Sequence, residues 1–324
     1  MRKRRIYKFV VFSPEFLALN LELRTKKEIM MRKILLTGPN GQLGRAVTEE
    51  YKKDQDAQII PVSHEEMPIE DLDAVLTRIA AEKPDVIINC AAYTNVDGCE
   101  VNTHLAGRIN AVGPRNLAIA AQKRGAKIVH ISTDYVFDGC GTRPYVESDS
   151  TQPVSAYGRS KLMGEKYVRE LSQKYFIIRT AWLYGDGGNF VRTMLRLAET
   201  HDEVSVVDDQ VGCPTSTAEL ARMIHFLEQT EQYGLYHGVC RGQTSWADFA
   251  EEIFRLAGKK TRVRHISSEE YEKMNPQSAK RPHYSVLEDQ MLTLISPEDG
   301  EGFEMKTWQD ALKEYISDEL YVKS

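Results

Sequence analysis

The chain has 324 residues, of which 42% are hydrophobic and 27% charged, the balance of an ordinary folded protein with material for about two domains. The 42 Lys and Arg against 47 Asp and Glu give a net charge of −5, which argues against nucleic acid as a partner, and no stretch approaches the roughly 18 uninterrupted apolar residues of a membrane span. The five cysteines (Cys90, Cys99, Cys140, Cys213, Cys240) form no C-x-x-C pair and the eight histidines show no metal-ligand spacing, so reduced thiols, a cytoplasmic setting and no metal are expected.

The first thirty residues begin basic (MRKRR) and continue apolar. Lys8, Pro14 and Glu15 interrupt the apolar part, and no small-residue cleavage site follows. Residues 1–31 are therefore expected to be an extension outside the fold, which starts where Met31 precedes RKILLTG. From there apolar runs alternate with amphipathic ones. Strands are expected at 33–38, 57–63, 84–92, 126–133 and 175–182, with helices at 43–53, 69–83, around 104–124, and from Tyr157. Near-continuous apolar strands alternating with helices imply a parallel sheet covered on both faces, a doubly wound Rossmann-like α/β fold. Beyond residue 182 the pattern loosens, with strands expected at 204–209, 234–240 and 262–266 and helices at 217–229, 246–258 and 307–320. Residues 32–181 together with 204–240 then form a dinucleotide-binding domain. Residues 182–203 and 241–324 form a smaller, interleaved substrate-binding domain.

TGPNGQLG (37–44) lies between the first strand and the first helix. Gly38, Gly41 and Gly44, with Asn40, Gln42 and Leu43, are placed to let the backbone approach a pyrophosphate at a helix N-terminus. Ala91, Ala92 and Tyr93 end the third strand at the same sheet edge. An NAD site usually carries an acidic residue after the second strand, but Val62, Ser63 and His64 stand there, followed by Glu65 and Glu66. The choice between NADPH and NADH stays open. HISTDYVFDG (130–139) puts the hydroxyls of Ser132 and Thr133 at the carboxyl end of the fourth strand, whereas His130 reads as a core residue. AYGRSKLMGE (156–165) then sets Tyr157 and Lys161 one helical turn apart. An ammonium beside a phenol lowers its pKa and makes the pair a candidate acid/base.

A glycine-rich loop, a strand-end hydroxyl and Tyr-x-x-x-Lys resemble the arrangement of short-chain dehydrogenases/reductases. NCAAYTNVDGCE, STDYVFDG, YGRSKLMGE, RTAWLYG and DQVGCPT, in this order, are similar to the dTDP-4-dehydrorhamnose reductase family of that superfamily over residues 32–320. The resemblance implies a cytoplasmic enzyme of nucleotide-sugar biosynthesis that uses NADPH or NADH. Its reaction reduces the 4-keto group of dTDP-4-dehydro-6-deoxy-L-mannose to give dTDP-L-rhamnose. It makes Tyr157 the proton donor, Lys161 the ribose-binding and phenol-tuning group, and Thr133 the partner of the sugar carbonyl. It also places Asp134, Tyr135 and Trp182 around the deoxysugar, and Asn189, Phe190, Gln210 and Thr215 toward the nucleotide. Some members form homodimers around a magnesium ion. Glu219 sits in a matching segment, but ISPEDGEGFE offers no secure second ligand, and no metal is expected. Tyr284, in KRPHYSVLE, stands where the family often has asparagine. Two other readings share these motifs: a sugar-nucleotide epimerase that retains its NAD, and a cofactor-binding regulatory subunit like that of methionine adenosyltransferase.

Overall fold

The computed structural model describes residues 31–295 and 302–321; the expected extension, up to residue 30, lies outside them. The elements are, in order, β1 (Arg32–Thr37), α1 (Gln42–Tyr51), β2 (Ala57–Val62), α2 (Leu72–Glu82), β3 (Val86–Asn89), α3 (Val96–Val101), α4 (Thr103–Gly107), α5 (Gly113–Arg124), β4 (Lys127–Thr133), α6 (Ala156–Leu171) and β5 (Tyr175–Thr180). There follow β6 (Leu183–Tyr184), α7 (Phe190–Leu197), β7 (Glu203–Val207), β8 (Val211–Gly212), β9 (Thr215–Ser216), α8 (Thr217–Glu228) and β10 (Gly234–His237). The chain closes with β11 (Thr244–Ser245), α9 (Trp246–Leu256), β12 (Arg262–Ile266), α10 (Ser268–Met274), α11 (Gln290–Ile295) and α12 (Trp308–Tyr321).

Six strands form one sheet in the order β10-β5-β4-β3-β1-β2, and every pairing in it is parallel. All four residues of β3 are buried, as are the last six of β4 and the last five of β5. A strand covered on both faces has no polar side, which is why these segments read as unbroken apolar runs. Alternation divides the core: Ile34 and Leu36 face Val47 and Leu220 on one side, while Leu35 faces Val75, Ile79 and Leu117 on the other. The strand order reverses beside β1, and the carboxyl ends of β1, β3 and β4 open there into the crevice where such sheets bind ligands.

The stretch around 104–124 is helical as expected, but not regularly so. Asn102 caps α4, and a π turn at Arg108–Val112 joins it to α5. Pro114 has no N–H to return to the residue 110 carbonyl, so the regular ladder cannot run through it. Nor does the whole of 204–240 stay with the large sheet. β7 pairs in parallel with β12, and β8 pairs antiparallel with β11. Only β10 joins the sheet, while α8 packs beside α1. The reason lies in β7 itself, whose burial alternates with exposure, and a strand with a wet face cannot sit in a doubly covered sheet. The segment 283–288 threads between the two regions: Tyr284 bridges to both Cys140 and Val211, and Leu287 to Tyr145.

Candidate active site

The glycine loop divides its work among three positions. Gly38 has φ +66°, and a Cβ there would lie 2.8 Å from the Ala91 nitrogen. A Cβ on Gly44 would lie 2.1 Å from the Gly38 carbonyl oxygen, so this glycine lets α1 close on the loop. Gly41 differs: its Cβ would meet only that same oxygen, at 3.4 Å, and the residue is exposed. It also caps α1 with no side-chain hydrogen bond. One glycine for the turn, one for backbone approach and one for helix packing is the division of labour a dinucleotide pyrophosphate requires, and the cradle fits that group. Around it, Asn40 is exposed and its carbonyl accepts from Arg45, Leu43 is core, and the buried Gln42 Oε1 has no protein partner. Ala91, Ala92 and Tyr93 line the loop after β3, half-buried. Past β2, Glu66 accepts from the Ser63 amide at 2.8 Å, an N–H contact that holds its carboxyl below the usual range.

Tyr93 is fixed by a residue that sequence reasoning missed. Asn110, fully buried in the π turn, accepts from the Tyr93 amide at 2.8 Å and donates to the Tyr93 carbonyl and to Ser160 Oγ, both at 3.0 Å. It thereby ties the cofactor edge of the sheet to the helix carrying Tyr157. A lone asparagine inside an apolar helical stretch was its only signal.

Ser155 starts α6 by accepting from the Gly158 amide at 3.1 Å, and the first turn delivers Tyr157. Its ring meets Tyr135 edge-on, centroids 5.6 Å apart. Thr133, ending β4, donates to Asp134 Oδ1 at 2.9 Å and accepts from the Tyr135 amide at 3.2 Å. Tyr157, Thr133, Asp134 and Lys161 are all buried. Burial first, then the Asp134 carboxylate, push the Tyr157 phenol above its ordinary value, and the Thr133 hydroxyl pulls the other way. Burial likewise raises Asp134 to about 6, against the nearby Ser285 hydroxyl and the Thr133 hydrogen bond. Lys161 is pulled down to about 8 by burial, with Glu165 and Cys90 opposing. Its Nζ donates to the Ile131 carbonyl at 2.6 Å. The expected lowering of the phenol by Lys161 is thus not found here; desolvation and Asp134 set the direction.

Ser132, the other candidate hydroxyl, is committed elsewhere. It donates to Glu165, which also receives Arg179 Nε at 2.9 Å and Nη2 at 2.8 Å, all three groups being buried. This cluster locks α6 to β4 and β5 beneath the turn that carries Tyr157 and Lys161. His130 is fully buried against Asn89, at 3.0 Å, and its pKa lies well below the ordinary value through burial and Lys161, in keeping with a core residue.

Trp182 follows β5 with φ +47°, a left-handed conformation that costs a bulky residue on the order of 1–3 kcal/mol. Its ring stacks on Trp246, centroids 3.5 Å apart and planes within 7°. It packs against the core cluster that contains Val136 and Phe137, which follow Tyr135, and Leu162, next to Lys161, packs against the same cluster. Phe190 supports Trp246 from 4.5 Å. The remaining expected contacts are occupied within the protein. Asn189 caps α7 and donates to the carbonyls of Gly185, at 2.6 Å, and Gly187. Gln210 donates to Ser268 Oγ at 2.9 Å. Thr215 is fully buried, its hydroxyl donating to the Cys213 carbonyl and accepting from the Cys240 amide. Its side chain is part of the core rather than of an open surface. Tyr284 donates to Gln243 at 3.2 Å, and Glu219 is held by Arg222 and Lys306.

A buried hydroxyl pair beside a tunable ammonium, next to a pyrophosphate cradle and an aromatic wall, can hold a carbonyl oxygen and protonate it as charge develops. Comparison with known proteins gives a consistent picture. Residues 31–321 match the family model described as RmlD substrate binding domain. The spore coat polysaccharide biosynthesis protein SpsK of Bacillus subtilis (strain 168) is 39% identical over 289 residues, covering 89% of this chain and 98% of that protein. The crystal structure of a dTDP-4-dehydrorhamnose reductase from Clostridium acetobutylicum superposes with a TM-score of 0.84 at 49% identity, covering 89% of this chain and 99% of that one. The dTDP-4-dehydrorhamnose reductase of Bacillus anthracis, solved in complex with NADP, does so with a TM-score of 0.84 at 42% identity, over 89% of this chain and 100% of that one.

Proposed function

The chain belongs to the dTDP-4-dehydrorhamnose reductase family, and from that premise we infer that it reduces the 4-keto group of dTDP-4-dehydrorhamnose to give dTDP-L-rhamnose at the expense of NADPH or NADH. The observation that supports this most directly is that the Thr133 hydroxyl, at the carboxyl end of β4, acts on the buried Tyr157 phenol at the sheet edge that carries the glycine cradle. The bound nicotinamide supplies the hydride. Tyr157 Oη gives its proton to the carbonyl oxygen, and the Thr133 hydroxyl turns its one proton from Asp134 to that oxygen as it gains charge. The raised phenol pKa keeps the proton on Tyr157 until that moment. Lys161, brought down to about 8, is matched to exchanging a proton near neutral pH and so to restoring the phenol. Trp182 offers an aromatic face to the apolar side of the sugar.

In this reading the cradle Gly38–Gly44, with Ala91 to Tyr93, holds the cofactor. The protein works in the cytoplasm on a nucleotide sugar and self-associates as a homodimer. No helix among the described residues is long and apolar enough to cross a membrane. The test mixes purified protein with NADPH or NADH and the 4-keto sugar nucleotide and follows reduced cofactor. Consumption equal to the alcohol formed supports the reading. Tight cofactor binding with no net consumption sinks it in favour of an epimerase or a regulatory subunit. Gel filtration decides self-association.

A further inference from the structure

Trp182 and Lys83 are the non-glycine residues with positive φ among those described, and Lys83 merely ends α2. A tryptophan held in this conformation needs surroundings that overdetermine it. Three features supply them. Gly212 leaves a slot: a Cβ there would lie 2.5 Å from Trp182 Cε2 and 2.7 Å from its Nε1. Trp246 closes one face of the ring in a near-parallel stack. The Trp182 carbonyl also accepts from the Thr215 amide at 3.2 Å.

Slot and stacking partner are not independent. Gly212 pairs with Thr244, and Val211 with Ser245, on one short antiparallel ladder. Ser245 then caps α9, accepting from the Asp248 amide at 3.0 Å, and Trp246 is the first residue of that helix. Phe190 and Phe249 back the assembly. Trp182 and Trp246 are both only half-buried, so this is a wall at a surface rather than core.

We propose that Trp246 is a positioning residue for the sugar: with Gly212 it fixes the Trp182 ring against which the sugar rests. This rests on the reading that the site takes a nucleotide sugar. It makes the β8–β11 ladder part of substrate recognition, although β11 and Trp246 lie 83 to 85 positions beyond Lys161 and belong to none of the sequence motifs.

The experiment is a double-mutant cycle on the full chain. It compares wild type, Trp246→Ala, Trp182→Gly and the double variant by KM for the 4-keto sugar nucleotide, kcat, and Kd for dTDP-L-rhamnose by calorimetry. Trp246→Ala is expected to raise KM and Kd about tenfold while kcat moves less than about threefold and cofactor affinity is unchanged. In the Trp182→Gly background the same change is expected to add nothing, because its effect passes through the ring already removed. Trp246→Phe should recover a large part of the loss. Additive effects in the cycle, or wild-type KM and Kd in a folded Trp246→Ala, overturn the proposal. Should Trp246→Ala fail to fold, Gly212→Ala decides: displacement of Trp182 is expected to weaken dTDP-L-rhamnose binding with cofactor affinity intact, and unchanged binding is fatal. If the wild-type protein binds dTDP-L-rhamnose but turns nothing over, the reductase reading fails while the calorimetric cycle still judges this one.

Discussion

The sheet half of the molecule and the half that carries Trp182 are built on different principles. In the first, β1 and β2 pair over six residues and β4 and β5 over six, and the central strands β3, β4 and β5 are buried on both faces. In the second, β6, β8, β9 and β11 are two residues each, and only the β7–β12 ladder reaches five. Long ladders fix backbone, and what the sheet half offers a ligand is backbone: the glycine loop and the N-terminus of α1. Short ladders fix little by themselves, so the second half relies on ring stacking and on the 283–288 thread, and what it offers is side chains. The proposed pairing of a cofactor cradle built on backbone with a sugar wall built on side chains follows from that division.

The strongest way to break the comparison is at the seam, where α6 delivers Tyr157. Tyr157→Phe removes only the hydroxyl and is expected to lower kcat by about 10² to 10⁴ with cofactor affinity unchanged. Wild-type turnover in steady-state assays would place the chemistry elsewhere. Next in size is the lock beneath it. Glu165→Gln leaves the buried Arg179 without its counter-charge and is expected to cost about 3–5 kcal/mol of stability in denaturant titration. A loss below about 1 kcal/mol, the scale of a surface pair, would mean that the sheet half does not depend on that ion pair.

The two halves were unequally legible. Strands such as VIIN and KIVHIST show in the sequence because complete burial leaves no polar positions to confuse the period. The glycine loop and the Tyr157–Lys161 turn show because their geometry is local. Partners distant in sequence do not. Nothing near 203–207 announces 262–266 as its neighbour, and nothing in SWADF marks Trp246 as the support of Trp182. Asn110, Ser132 and Thr215 illustrate the same limit at single residues. Which polar side chains face a ligand and which are consumed by Tyr93, Glu165 or Cys213 is decided by packing, not spacing.

A smaller effect separates binding from folding within the cradle. Gly41 has φ −75° and ψ 167°, which a β-branched residue adopts without strain. Gly41→Val should therefore keep its melting temperature yet lose about tenfold to a hundredfold in NADPH affinity, because the side chain occupies the approach to the pyrophosphate. Gly44→Ala should do the reverse, losing stability first, since its Cβ meets the Gly38 carbonyl at 2.1 Å. Fluorescence titration beside thermal melts reads both, and equal affinity in Gly41→Val and wild type would reduce the loop to a structural turn.

The smallest effect tests whether the halves are joined at Asp134, which takes a hydrogen bond from Thr133 at 2.9 Å on the sheet side and lies near Ser285 on the thread. Its carboxyl rises from 3.8 to about 6 because burial penalises the charge more than these hydroxyls repay. The native state therefore holds this proton more tightly than the unfolded chain. Stability from this group is full below pH 3.8, falls as pH climbs toward about 6, and stays lost above it. The shift sets a ceiling of about 3 kcal/mol, and about 1 kcal/mol is expected from Asp134→Asn, since an amide is a weaker acceptor for the Thr133 hydroxyl. Asp134→Asn should thus be more stable than wild type at about pH 8 and no more stable at about pH 4. The gain should come with reduced turnover, because the carboxylate that orients Thr133 and holds the proton on Tyr157 is gone. An equal change in stability at both pH values would show that the substitution acts through packing, and that the charge at the seam has no part in joining the two halves.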